Sequence, residues 1–189
     1  MIYTWRTSSP LGEILLSGTD TALTGLWFDG QKNYAGTLSG PGTDIMTPVF
    51  EMTERWLDIY FSGKEPDFTP PLEPAGTPFR RAVRDVLLTI PYGRTTTYGQ
   101  IASVIAKQRG LKTMSAQAVG NAVGHNPISI IIPCHRVIGA DGSLTGYAGG
   151  LERKRRLLAM EKITHDTLDN SARQCIMNNN KTRERSTSL

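Results

Sequence analysis

The chain has 189 residues, 39% hydrophobic and 20% charged, which is enough for one large domain or two small ones with real cores. No run approaches the roughly 18 apolar residues of a membrane span, and "MIYTWRTSSP" lacks the basic-then-apolar layout of a secretion signal, so a cytoplasmic protein without a membrane partner is expected. The net charge of +4 hides a division: residues 1–76 carry 4 Lys and Arg against 10 Asp and Glu, residues 77–162 carry 13 against 4, and the remainder 4 against 3. The basic segment predicts a polyanionic partner and the acidic one a scaffolding role, although a solvated basic surface fits the same counts.

In chain order, "MIYTWRT", "EILLSG" and "LTGLWFDG" alternate and are separated by turns, which predicts an antiparallel meander. "TPVFEMTERWLDIYFSGK" reads as a helix, with Thr47 as N-cap, Pro48 in the first turn, a stripe of Val49, Met52, Trp56, Ile59 and Tyr60, and Gly63 as terminator. Four prolines in "EPDFTPPLEPAG" predict an inter-domain linker ending near residue 76. Thr77 and Pro78 open a second helix through Phe79, Val83, Val86, Leu87 and Ile90. A third follows in "TYGQIASVIAK", with a capping box from Thr97 to Gln100. The basic loop "KQRGLKTM" joins it to "SAQAVGNAVGHN", and the pair reads as a helix-turn-helix or an ordinary helical hairpin. "ISIII" is expected to be a buried strand stopped by Pro133, and "LERKRRLLAMEK" a last helix carrying Leu151, Leu157, Leu158 and Met160. Residues 163–189 are polar and aperiodic, and a disordered tail is expected there.

Only Cys134 and Cys175 are available as thiols, too few for a disulfide framework or a four-ligand zinc site, so a reduced compartment and no metal are expected. A cysteine reacts as thiolate and requires a neighbour that takes its proton. His135 is adjacent in sequence. Because adjacent side chains point apart, His135 is expected to reach Cys134 through a bridging water, with a carboxylate such as Glu161 on its far nitrogen. The residues alone also allow a buried structural cysteine and a hydrogen-bonded core histidine.

The stretch "IIPCHRVIGADGSLTGYAGG" resembles the active-site signature of the O6-alkylguanine-DNA alkyltransferases, the methylated-DNA-protein-cysteine methyltransferases. "GTPFRRAVRDVLLTIPYGRTTTYGQIA" and "AVGNAVGHNPISIIIPCHRVIG" extend the likeness over residues 77–162, and residues 1–76 are similar in layout to the family's small N-terminal domain. The resemblance implies an α+β fold: a ribonuclease H-like antiparallel sheet domain over residues 1–76 that carries no chemistry, then a helical domain bearing the helix-turn-helix and the active site.

Carried over by motif position, it makes Cys134 the irreversible acceptor of an alkyl group from O6 of guanine, with O4 of thymine as a second donor, in duplex DNA. His135 and Glu161 complete the proton relay, Asn126 braces the turn beside the thiol, and Tyr98 hydrogen-bonds the extruded guanine. Tyr147, Ala148 and Gly149 form the loop beside that base, and Gln117, Ala118, Gly120, Asn121 and Arg136 contact DNA. The implied protein is a monomer without a cofactor that acts once per molecule. Two positions depart from the family: Gln117 stands where many members have an intercalating arginine, and Ala148 where some have a hydroxyl residue. A DNA-binding damage sensor without chemistry and a turning-over cysteine hydrolase are the competing classes.

Overall fold

The alternating N-terminus forms the expected meander in the computed structural model, which describes residues 1–38 and 40–163. Strands β1 (Tyr3–Thr7), β2 (Ile14–Gly18) and β3 (Leu23–Phe28) pair antiparallel in sequence order. A two-residue strand β4 (Thr43–Asp44), too short to show a pattern, adds parallel to β1. Helix α1 (Pro48–Phe61) buries Val49, Phe50, Trp56, Leu57 and Tyr60. Thr47 caps it by position only, since its side chain makes no cap hydrogen bond.

The proline-rich stretch differs from a free spacer. Leu23 N donates to Pro71 O (2.8 Å) and Glu73 N to Leu23 O (2.8 Å), so the segment lies along β3. Further along the same strand, Leu26 N donates to Pro127 O (2.8 Å) and accepts at its own carbonyl from Ser129 N (2.9 Å). Both segments take up backbone groups that a sheet edge would otherwise leave open.

The second half contains α2 (Pro78–Leu88), α3 (Tyr98–Gln108), α4 (Ala116–Gly124) and α5 (Leu151–Met160). Thr77 and Ser115 cap α2 and α4 by accepting from Arg80 N and Ala118 N, and both halves of the Thr97–Gln100 capping box are made. A short parallel pair, β5 (Thr96–Thr97) with β6 (Val137–Ile138), ties the start of α3 to the chain just beyond Cys134. In α5, Leu157 and Leu158 are buried as expected, whereas Leu151 is exposed. No helix among the described residues is long and apolar enough to cross a membrane. Residues 164–189, most of the expected tail and with it Cys175, lie outside the described residues.

"ISIII" is not a strand. The run is buried, but Ile130 has φ 67°, a left-handed conformation that is strained for a β-branched residue. Asn126 accounts for the coil: its Nδ2 donates to Ile128 O (2.9 Å) and Ile132 O (3.0 Å), and its Oδ1 accepts from Ile128 N (3.2 Å). Those bonds satisfy backbone groups that would otherwise require a neighbouring strand. An apolar run by itself cannot separate the two cases.

The halves share one core, in which Leu16, Phe28, Phe50 and Tyr60 join Val83, Ile101, Ile132 and Leu157. Polar bonds reinforce the junction. The Arg153 guanidinium donates to Leu11 O (3.0 Å), Asp29 O (3.1 Å) and Gly149 O (3.2 Å), and Arg156 to Pro10 O (3.0 Å). Part of the basic charge counted in the sequence is therefore engaged within the fold.

Candidate active site

The coil braced by Asn126 delivers Cys134 to a single 3-10 turn, Cys134–Arg136, with the thiol only 4% exposed. The same Asn126 Nδ2 lies 3.1 Å from Cys134 Sγ and donates to it. Burial pushes the thiol up; the Asn126 bond and the nearby Lys154 charge pull the other way without overcoming it. The resting group is a protonated thiol, so a base is needed.

His135 is fully buried, and its Nε2 lies 2.8 Å from Glu161 Oε1. Its Nδ1 is buried and has no hydrogen-bond partner among the described residues. Burial lowers the imidazole below its ordinary 6.5, against the pull of Glu161, which makes it neutral and able to accept a proton at neutral pH. Glu161 caps the C-terminus of α5 and gathers donors on both oxygens. Arg136 Nε (2.9 Å) and Gly93 N (3.1 Å) reach Oε2; Arg136 Nη2 (3.0 Å), His135 and the Tyr60 hydroxyl (2.8 Å) reach Oε1. Burial would raise this carboxyl, but the bonds from His135 and Arg136 outweigh it and hold it down at about 2. A carboxylate so held orients and stabilises an imidazolium rather than taking its proton.

A cavity of about 530 Å³ opens between α4 and the loop after β6; Cys134 lies behind its lining rather than in it. Gln117, Gly120 and Asn121 of α4 form one wall and Thr145 to Ala148 the other, with Tyr98 at the start of α3 between them. Tyr98 Oη donates to the carbonyls of Thr145 and Gly146, both at 3.3 Å. Tyr98 and Tyr147 both interact electrostatically with Cys134. Gly149 is needed for packing: a Cβ there would meet Tyr147 Cε1 at 2.6 Å. From the N-terminal half, Lys32 N donates to Ala148 O (2.9 Å) and Asn33 Nδ2 to Gly124 O (3.1 Å), one bond to each wall.

Two family models match this chain. The DNA binding domain of 6-O-methylguanine DNA methyltransferase covers residues 78–163, and its ribonuclease-like domain covers residues 1–74. This chain belongs to that family. A methylated-DNA–protein-cysteine methyltransferase of Mycobacterium bovis is 44% identical over 86% of this chain and 93% of its own length. One from Methanosarcina barkeri is 46% identical over 82% and 93%. Among solved structures, Mycobacterium tuberculosis OGT in complex with DNA superposes with a TM-score of 0.72 at 43% identity, covering 85% of this chain and 92% of that one.

Of the residues expected from the family's motifs, Cys134 with Asn126 and His135 with Glu161 form two hydrogen-bonded pairs joined through the chain, and Tyr98, Gln117, Gly120, Asn121, Tyr147 and Ala148 line the cavity. Ala118 is half-buried on α4 outside that lining. Arg136 requires a correction. It was expected at the DNA but is 8% exposed, with its guanidinium on Glu161 and on Ile90 O (2.7 Å), a placement that fits a buried counter-charge. Sequence reasoning missed Tyr60 and Lys154. Lys154 is fully buried and donates to Val137 O (2.5 Å) and Thr145 O (2.6 Å), fastening the cavity loop to β6. Burial lowers its ammonium to about 8. A lysine between arginines in "RKRR" looks like surface charge, and nothing local marks it as internal. No group of His, Cys, Asp and Glu among the described residues could hold a metal ion.

Proposed function

We propose that this protein repairs alkylated duplex DNA by moving the methyl group from O6 of an extruded guanine to Cys134, with O4 of thymine as a second donor, and that each molecule acts once. The observation that carries the reading is a buried, protonated thiol held by Asn126 and followed by a neutral histidine on an ionised glutamate, with Tyr98 and Tyr147 between it and a cavity roomy enough for a base. A base inside a duplex cannot present O6 to a buried thiol, so extrusion must precede transfer. The thiol proton passes through a water to His135 Nδ1, Glu161 stabilises the imidazolium, and sulfur attacks the methyl carbon as the carbon–oxygen bond breaks. Tyr98 turns its hydroxyl from the loop carbonyls to the guanine ring, where it relieves the charge developing on the leaving base. The departing guanine takes up one proton from solvent in place of the methyl group and the His135 imidazolium returns one to solvent, so protons balance and nothing is oxidised or reduced. A thioether has no carbonyl for water to attack, so Cys134 is not regenerated.

The helix pair α3 and α4 presents Gln117 and Asn121 to DNA, and exposed Arg81, Lys107, Arg109 and Lys112 supply phosphate contacts. A domain boundary near residue 76 and a cytoplasmic site of action complete the reading. The test is a titration of protein against duplex carrying O6-methylguanine: repaired base should rise to one per protein molecule and stop, and continued turnover would contradict the proposal.

Gln117 is exposed at the second position of α4, on the cavity wall. Gln117→Arg is expected to speed transfer from duplex, because a planar cation can fill the vacated stack and bond the orphaned base. Transfer from single strands, where unstacking is already cheap, should change little. Gln117→Lys adds the charge without the planar group. Equal acceleration by Lys, or an unchanged duplex-to-single-strand rate ratio, would remove residue 117 from the extrusion step.

A further inference from the structure

We propose that Tyr60, on helix α1 of the N-terminal domain, is a positioning residue of the proton relay: its hydroxyl, donated to Glu161 Oε1, sets how strongly that carboxylate holds His135. The inference rests on the relay described above and extends it to a domain expected to carry no chemistry.

The contact is built rather than incidental. Tyr60 is fully buried, its ring stacks on Trp56 (5.3 Å between centroids, 9° between planes), and it meets Phe61, Tyr92 and His135 edge-on. With the ring fixed, the hydroxyl has one place to point. It lies 2.8 Å from Glu161 Oε1 and 3.4 Å from His135 Nε2. Burial and the adjacent Glu161 charge push the phenol far up, so it remains a donor throughout the accessible pH range.

Oε1 thus divides its charge among three donors, Tyr60, Arg136 Nη2 and His135 Nε2. Each donor that draws on that oxygen weakens what is left for the others. The groups that face His135 are the charged Glu161, Arg136 and Lys154 and the rings of Tyr60 and Tyr147. Tyr92 faces the same carboxylate from the α2–α3 connection. Of the three donors on Oε1, only the Tyr60 hydroxyl can be deleted without changing a charge or emptying the packing, because Phe keeps the ring. Taking that donor away leaves more of the Oε1 charge on His135, which favours the imidazolium. A protonated imidazole cannot accept the thiol proton, so the acid limb of the transfer rate should move to higher pH.

The experiment uses the full chain and two readouts. Single-turnover transfer from duplex carrying O6-methylguanine is followed against pH, and His135 is titrated by nitrogen-15 NMR of histidine-labelled protein without DNA. Tyr60→Phe is expected to raise the His135 midpoint and the acid limb together, by roughly half a pH unit or more. Site-specific 3-fluorotyrosine at position 60, a stronger donor that preserves the fold if Phe does not, should move both the other way. A purely structural role predicts lost stability with both midpoints unmoved, and that result overturns the proposal. If the NMR midpoint moves while the rate profile does not, His135 is not the base and the relay itself fails.

Discussion

Cys134→Ala is expected to abolish methyl transfer while leaving duplex affinity within a few-fold of the parent, because affinity comes from phosphate contacts made elsewhere. The substitution removes one buried atom, for about 1 kcal/mol of stability. Asn126, which donates to the sulfur, retains its bonds to Ile128 O and Ile132 O, so the coil that shapes the site should persist. Gel-shift titration and a single-turnover assay on the same preparation separate the two properties. Loss of binding together with transfer would mean that Cys134 serves the fold, and residual transfer would place the acceptor elsewhere.

Glu161→Gln is expected to slow transfer by roughly a hundredfold or more, the scale of a disabled acid-base relay. It should also destabilise the fold by about 3 kcal/mol or more, since Arg136 is left as a buried cation without its counter-charge. The pH dependence gives this prediction a sign. The carboxyl is held at about 2 against an ordinary 4.5, so its ionised form stabilises the native state. That contribution is complete above 4.5 and is lost as pH falls toward 2. His135, whose folded value lies below 6.5, adds stability that is present above 6.5 and lost as pH falls through its folded value. Urea midpoints of the parent should therefore fall on acidification through both ranges. In Glu161→Gln the step between 4.5 and 2 should shrink; an unchanged acid profile would show that the carboxylate is not the group so held.

The meander, helices α1 to α5 and the caps at Thr77 and Thr97 were legible because periodicity and capping are local. So was the neighbourhood of the thiol, since "PCHR" and "HNP" place Cys134, His135 and Asn126 within a span of ten residues. What the sequence concealed depends on contacts between distant parts. "ISIII" has a strand's composition, but the Asn126 side chain bonds two of its carbonyls and the segment turns on its own backbone bonds, so it is a coil. Arg136 and Lys154 look like surface charge until the fold supplies a buried carboxylate for one and two loop carbonyls for the other. Tyr60 lies 101 residues from Glu161 in the chain, on the apolar stripe of a helix, where an aromatic ordinarily signals core and nothing more.

The most direct test of the account is to locate the transferred group. The full chain is incubated with duplex containing isotopically labelled O6-methylguanine, digested, and its peptides are analysed by mass spectrometry. The account predicts one labelled methyl per protein molecule, on the peptide containing Cys134 and stable to prolonged incubation. Label on Cys175, label lost to water, or more than one methyl removed per molecule would contradict it.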